Sequence, residues 1–596
     1  MESYKRNTRE TWKLLRELIS KQKNKNAQSN TFIINGVNVT DPIEIANKFS
    51  DYFSEVGNEL SKKIPKPKQT FSEYLSKSGP QNPSSIFLYP TSCEEINDMI
   101  ASMRNKKSMD HNNISSWLLK QIKCDILAPL CILINKSMET GVVPDCLKVA
   151  KVIPIHKAKD KTLFSNYRPI SILPIISKIL EKIVHKRVST FTNDRLVKNQ
   201  YGFRSKHSTI HAVSQFYIDT MESIEQKQHT LATYLDLSRA FDTLDYSILL
   251  KKLHYHGIRG VGYEWFNSYL SNRTQYVQYQ NQSSHMNKVS CGVPQGSILG
   301  PLLFILYIND LPDCLQNSNC ILFADDTTIY CKSPNINTLY NNMNHELETL
   351  NDWFMANKLS LNINKTKYML FTKLKADINN IPSIKIGINS IEKVTHFKFL
   401  GIHIDENLNW KNHTIYINNK IASSLYAINS VKNILPRRQL RMLYFSIFQP
   451  YLDYGLLLWG NTHQSFIKPL LISQKKCIRS IMGANYNAHT ENMFKQLHIL
   501  PLNKLIKLHM GKFMYLAINK QLPPCLNDIY QINHEIHCYE TRHRHDPHIS
   551  FRRTTLAANS FIHKSPSFWY ELPNDTKTAK TIKSFIRKLK SFLNQQ

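Results

Sequence analysis

Two acidic sites in this chain have the residue types and surroundings for phosphoryl-transfer chemistry. Asp236 follows the apolar run Leu231 to Leu235, which reads as a strand, and Asp325-Asp326 lie within ILFADDTTIYC between two β-rich runs. A carboxylate at a strand end with apolar flanks is costly to bury unless a cation holds it. The second pattern is a hairpin with two carboxylates at its tip. Either site alone says little, because an Asp in a turn is usually only a turn former. Together they meet a specific requirement: carboxylates from separate strands can hold two metal ions ~3.5–4 Å apart, one ion activating an attacking oxygen and one supporting the leaving oxygen. Asp236 and Asp325 fit the ligand roles. Two magnesium ions are expected, with manganese as the substitute, because magnesium prefers hard oxygen ligands and shares its shell with substrate phosphates. The competing reading makes these carboxylates purely structural.

The elements that must hold these residues are legible in outline. Between the acidic sites lies CGVPQGSILGPLLFILYINDL, where Gly292, Gly296 and Gly300 with Pro294 allow a tight backbone close to a ligand before an apolar element begins. Its position makes a template or nucleotide contact the expectation, against an ordinary turn. From Gln228 onward, short apolar runs alternate with helical ones, which points to an α+β core. Upstream, TWKLLRELI and IEIANKFSDYFSEVGNEL have helical periodicity, and Asp41-Pro42 looks like a helix start. A Lys-, Pro-, Ser- and Gly-rich stretch from Ile64 to about Ser85 reads as a mobile linker. After about Asn407 amphipathic helical segments dominate, ending in the basic TIKSFIRKLKSFL, read as a surface helix packed on a helical domain rather than a dedicated nucleic-acid contact.

At 596 residues the chain exceeds the ~250–300 residues at which a single core stops growing, so several subdomains are expected. The formal net charge is +31, from 76 Lys and Arg against 45 Asp and Glu, and a surplus of that size points first to nucleic acid. An anionic membrane is the rival partner, but the longest apolar runs fall far short of the ~20 residues that span a bilayer, and the start lacks a secretory core. A soluble, intracellular protein of nucleus and cytoplasm is expected, with no membrane contact. The eleven Cys residues form no C-x-x-C pair, which argues against a zinc ribbon.

YLDLSRAFDTLD (Tyr234 to Asp245), GVPQGSILGP and FADD, in this order, resemble motifs A, B and C of reverse transcriptases. More specifically, the chain resembles polymerases of non-LTR retrotransposons, notably the jockey-like group. VIPIHKAKD, NYRPISILPIISKILEKI and NQYGFRSKHST match that family's upstream motifs, and NKLSLNINKTKYMLF and FKFLGIHIDENLNW its later ones. The resemblance runs closely from about Lys148 to Trp410. It implies an RNA-directed DNA polymerase with an RNA template, a DNA primer or target and dNTPs as partners; the oligomeric state stays open. By matching position, Asp236, Asp325 and Asp326 resemble the catalytic, metal-holding triad. Phe241 occupies the place of a steric gate against a 2′-hydroxyl, with a core Phe as the alternative. Lys157 and Arg168 resemble the cations that clamp the incoming triphosphate. Gln295, with Gly296 beside it, resembles the nucleotide-contacting residue of motif B, and Lys365 the lysine proposed as general acid to pyrophosphate.

The implied fold is a right-hand polymerase: fingers, a ferredoxin-like palm of antiparallel sheet plus helices, and a helical thumb, flanked by helical N- and C-terminal segments. The expected divisions are an N-terminal helical extension and linker over residues 1–85, a fingers and pre-palm region over 86–230, and a palm over 231–406. A helical thumb follows over 407–520 and a C-terminal basic region over 521–596, the full reverse transcriptase domain covering about 137–406. Trp569 and Tyr570 could stack on bases or pack in a core. His534, His537, Cys538, His543, His545 and His548 match no structural zinc spacing and read as a solvated loop. Many relatives carry an endonuclease before the polymerase; none is expected in this chain, nor a ribonuclease H segment after the thumb. The alternative function is a decayed or domesticated copy that binds RNA or DNA without catalysis. A group II intron-type maturase is a weaker third reading, its zinc-bearing endonuclease not being visible.

Overall fold

The computed structural model describes residues 31–34, 37–157, 159–374, 381–536, 539 and 543–595. The helical segment expected at TWKLLRELI lies outside the described residues. The described chain opens with a hairpin of β1 (Phe32–Ile34) and β2 (Val37–Val39). Asp41 then caps the helix Pro42–Lys62, its carboxylate accepting from the Glu44 N–H at 3.0 Å while Pro42 takes the first turn.

The Ile64–Ser85 stretch is anchored rather than a mobile linker. The backbone N–H groups of Lys68 and Gln69 donate to Asp352 at 2.6 and 3.2 Å, and the Tyr74 hydroxyl donates to the same carboxylate at 2.7 Å. Asp352 is buried on the helix Ile336–Ala356, and the short helix Phe71–Lys77 buries Tyr74 and Leu75 against the main core. Composition cannot reveal this, because the acceptor that gathers the three donors lies about 280 residues away in the chain.

Two five-stranded sheets follow. In one, β3 (Val149–His156) runs antiparallel to β4 (Tyr167–Ile172) and parallel to β6 (Arg273–Tyr279), whose other edge takes β7 (Gln282–Ser283) and β8 (Asn287–Val289). The helix Pro42–Lys62 lies on this sheet. Phe32, Phe49, Phe53, Tyr167 and Tyr279 form an aromatic core between them. The other sheet is central. Its order is β14 (Glu392–Lys393), β11 (Lys367–Phe371), β5 (His229–Leu235), β10 (Asp326–Ser333) and β9 (Asn319–Phe323), antiparallel except where β14 joins β11. Two further hairpins, β12 (Lys385–Ile386) with β13 (Asn389–Ser390) and β15 (His396–Phe399) with β16 (Ile402–Asp405), complete the strands.

The central strand β5 is buried along its whole length. Ala232 and Tyr234 face one core with Tyr330, Met369 and Phe371; Leu231 and Leu235 face the other with Leu322, Ile329 and Leu370. A strand covered on both faces has no solvent side, so even its polar residues His229, Thr230 and Thr233 are buried.

The helices Lys411–Val431, Gln464–Met482, Leu502–Ile518 and Phe561–Tyr570 share the first core continuously with the sheet. The basic helix Ile582–Gln595 buries Phe585, Leu589 and Leu593 in it. Trp569 and Tyr570 belong to packing: Trp569 is buried against Phe585, and Tyr570 stacks on His543 at 4.2 Å while its hydroxyl donates to the Pro547 carbonyl. Among the described residues no helix is long and apolar enough to cross a membrane. The C-terminal part is also pinned to the helix Thr209–Glu225, because Glu225 accepts from the N–H groups of Arg553 and Thr554 at 2.6 and 3.0 Å.

Below the sheet the fully buried Lys252 ammonium meets Asp310 at 2.6 Å, and the Trp353 indole N–H donates to the same carboxylate at 3.2 Å. Removing one partner of a buried pair leaves an uncompensated charge, so Lys252→Ala is expected to destabilise the fold by about 3–5 kcal/mol. Thermal or urea denaturation measures it, and a loss below about 1 kcal/mol would mean that Asp310 does not depend on this cation.

Candidate active site

The pairing of β5 with β10 brings the two acidic sites together. Leu235 lies opposite Thr327 in an antiparallel ladder, so the next step in register sets Asp236 opposite Asp326. Asp236 follows Ala232 and Tyr234 by steps of two and shares their face of the sheet. Asp325 sits at the tip of the β9–β10 hairpin, where Phe323 pairs with Asp326 and the chain turns through Ala324 at φ +56°. A non-glycine residue in that left-handed region is strained, and the hairpin holds it there. On the far side, the Asp236 carbonyl accepts from the Asn362 N–H at 2.8 Å, tying the strand end to the segment before β11.

Burial and neighbouring carboxylate charge act together at Asp325 and Asp326. Partial removal from water, followed by the charge of Asp236, raises the Asp325 carboxyl above its ordinary value, while Arg168 and Lys157 pull it back down. Asp326 is pushed up to about 6, by removal from water first and then by Asp325 and Asp236. Lys157 and Arg168 stand at the loop end of the β3–β4 hairpin, and burial together with the charges of Arg168 and Lys365 lowers the Lys157 ammonium. Lys365 Nζ meets Asp236 Oδ2 at 3.1 Å. A cavity of about 510 Å³ opens here, walled by Asp236, Asp326, Lys365 and the β15–β16 hairpin, whose Phe397 stacks on Tyr234 at 4.2 Å.

The turn between the acidic sites packs beside this cluster. Gly296 has φ +140°, and a Cβ there would collide with the Ser171 carbonyl oxygen on β4. The neighbouring Ser171 N–H donates to the Gln295 carbonyl at 2.9 Å. Glu181, fully buried, holds the end of the turn: it accepts from the Ile298 N–H at 2.5 Å and the Tyr269 hydroxyl at 2.9 Å. Phe241 is half-buried, stacked on Phe304 at 4.7 Å and edge-on to Phe203 at 6.2 Å.

The Gln295 side chain is engaged by a residue the sequence reading left without a role. Its amide donates to Asp242 Oδ1 at 2.8 Å, and Asp242 faces Arg239 at 3.6 Å. A sequence signal for Asp242 was available: an acid within the apolar stretch AFDTL needs a partner if it is buried.

Among the described residues no group of three His, Cys, Asp or Glu side chains is placed to hold a metal ion. That applies to His534, His543, His545 and His548 as well; His537 and Cys538 lie outside the described residues. The donor set at Asp236, Asp325 and Asp326 still fits a divalent cation chemically: it consists of hard oxygens whose mutual repulsion a cation would relieve, and a lysine ammonium already sits against one of them.

The family described as reverse transcriptase (RNA-dependent DNA polymerase) matches residues 155–404. More particularly, the chain is similar to proteins named for mobile elements. It is 27% identical over 451 residues to the RNA-directed DNA polymerase from mobile element jockey of Drosophila melanogaster, covering 72% of this chain and 48% of that protein. It is 26% identical over 448 residues to the probable RNA-directed DNA polymerase from transposon BS of the same fly, covering 72% and 49%. With the retrovirus-related Pol polyprotein from type-1 retrotransposable element R1 of Bradysia coprophila it shares 26% over 405 residues, covering 66% and 39%. The chain thus spans about half the length, or less, of the curated relatives it matches.

Because the folded Asp326 carboxyl titrates above its unfolded value of roughly 3.9, the folded state binds the extra proton between about pH 4 and 6. Ionising it therefore disfavours the fold as pH rises through 6, and the same proton competes with a cation for the site. Manganese affinity is expected to climb with pH through about 6 and level off above it, with Asp326→Asn flattening the climb. Calorimetric or spectroscopic titration tests this; wild-type affinity already constant from about pH 5 to 7 would place Asp326 outside the cation's field.

Proposed function

We propose that this chain is an RNA-directed DNA polymerase that extends a DNA 3′ end on an RNA template. The observation that carries the reading is the β5–β10 register, which sets Asp236 against Asp326 beside Asp325, with Lys157 and Arg168 opposite them. In this reading the central sheet is the palm, the β3–β4–β6 sheet with its helices forms the fingers, and the helices after β16 form the thumb and a C-terminal basic region.

Each residue then has a task its chemistry suits. Asp236, Asp325 and Asp326 would hold two divalent ions, which when bound supply activation of the primer hydroxyl and neutralisation at the leaving oxygen. Lys157 and Arg168 bind and orient the triphosphate by charge, and their field offsets negative charge developing on the transferred phosphorus. Gln295 and Gly296 form the wall against which the nucleotide lies, and Gly296 leaves the backbone open to close approach. Phe241, braced by Phe304 and Phe203, is too firmly packed to yield to an added sugar hydroxyl, which favours deoxynucleotides. Lys365 carries a proton on Nζ next to Asp236 and donates it to the departing pyrophosphate. The net charge of +31 gives the RNA–DNA duplex a broad cationic surface.

Primer extension on poly(rA)–oligo(dT) decides the reading. Wild-type protein is expected to incorporate dTTP only with magnesium or manganese, and Asp325→Ala is expected to fall to background while keeping salt-sensitive template binding. Incorporation that survived Asp325→Ala would refute the site. Salt-sensitive binding with no incorporation by wild type would leave a nucleic-acid binder without catalysis.

A further inference from the structure

Asp242 is not required by anything derived so far, yet it occupies an unusual position. Its side chain is only 12% exposed. Oδ1 accepts from the Gln295 amide at 2.8 Å, while Oδ2 has no hydrogen-bond partner and faces the Arg239 guanidinium at 3.6 Å. Arg239 is itself constrained: its backbone is left-handed at φ +50°, and its guanidinium donates to the Tyr52 hydroxyl at 3.0 Å and the Ser165 carbonyl at 3.1 Å, 5.1 Å from the Tyr52 ring. Tyr52 comes from the helix Pro42–Lys62, more than 90 residues before the segment matched by the family.

The same helix touches this region at a second point. A Cβ on Gly57 would collide with the Asp242 carbonyl oxygen, and with Cys291 Sγ at 2.6 Å, so the helix rests its glycine directly on the backbone that carries Asp242 and on the strand entering the Gln295 turn. The next residue, Asn58, donates to the Ser290 hydroxyl at 2.8 Å. The N-terminal helix, the segment after Asp236 and the Gln295 turn therefore meet around Asp242, the turn at its carboxylate and the helix at its backbone and through Arg239.

We propose that Asp242 is a positioning residue for nucleotide binding, which fixes the Gln295 amide toward the incoming nucleotide and is itself held by Arg239 and Tyr52 from the N-terminal helix. The inference rests on the polymerase reading, with Gln295 as the nucleotide contact. A Gln side chain free to turn loses rotamer entropy on each binding event; one already bonded to a nearly buried acceptor does not. The amide has two N–H groups, so one can stay on Asp242 while the other and the carbonyl remain available to a nucleotide. The latch acts on nucleotide binding and leaves Asp236, Asp325 and Asp326 untouched.

Steady-state primer extension separates this from a merely structural contact. Asp242→Ala is expected to raise the KM for dTTP about tenfold with kcat changed less than about threefold and template–primer affinity unchanged, the size expected for losing one hydrogen bond to a charged group. Gln295→Ala should produce a similar rise, and the double variant no more than the larger single effect. Asp242→Asn keeps an acceptor oxygen and is expected to restore most of the nucleotide affinity. Tyr52→Phe, which keeps the ring and removes the hydroxyl that accepts from Arg239, is expected to raise KM about threefold and remains informative if Asp242→Ala does not fold. A wild-type KM in Asp242→Ala, additive effects in the double variant, or a wild-type KM in Tyr52→Phe when Asp242→Ala is insoluble would overturn the latch while leaving the polymerase standing. Absence of incorporation by wild type would remove the polymerase reading, and the latch with it.

Discussion

The arrangement turns on one electrostatic constraint: three carboxylates brought to one end of a sheet. Burial first, and neighbouring carboxylate charge second, raise the Asp325 and Asp326 carboxyls. A fold can hold such a cluster only by making the backbone insensitive to it and by bringing cations near. Here the backbone does its part through β5, buried on both faces and paired over seven residues with β10. The cations come from different places: Lys365 from the segment entering β11, Lys157 and Arg168 from the β3–β4 hairpin. The acids are thus held by pairing between distant strands, and the bases come from the segment entering β11 and from a second sheet.

The supporting structure repeats this logic with other buried charges. Lys252 and Asp310 neutralise one another under the sheet, and Glu181 accepts from the turn that carries Gln295 and Gly296. Burial raises the Glu181 carboxyl, and the hydrogen bonds from Ile298 and Tyr269, with the charge of Arg273, work against that rise. A buried acid with three sources of compensation is a rigid anchor. It fixes a loop that has few apolar side chains of its own to fix it.

Segments outside the family match take part in the same architecture. The helix Pro42–Lys62 closes an aromatic core on β3, β4 and β6, the Ile64–Ser85 stretch is gathered by Asp352, and residues 553 and 554 grip Glu225. One apolar core runs from the central sheet to the last helix. The C-terminal helices accordingly share the stability of the sheet instead of hanging from it as a separate unit.

The order of Asp236, the Gln295 turn and Asp325-Asp326 along the chain was determined by sequence alone, as were the strand character of their flanks and the Asp41-Pro42 helix start, because these depend on residue type and local spacing. Which face Asp236 shares with Asp326 was not, since register over 90 residues of separation is settled by side-chain packing on both sides of β5. The role of Ile64–Ser85 was misread for a related reason: polar composition describes a segment's own preferences and says nothing about a distant acceptor. Trp569 and Tyr570 were ambiguous until the C-terminal helices closed around them. Tyr52 could not be joined to Arg239 and Asp242 by sequence, because its contact with Arg239 spans nearly 190 residues, whereas Arg239 and Asp242 lie only three residues apart. Local chemistry was written in the chain; the convergence of the carboxylates, cations and amide belongs to long-range packing alone.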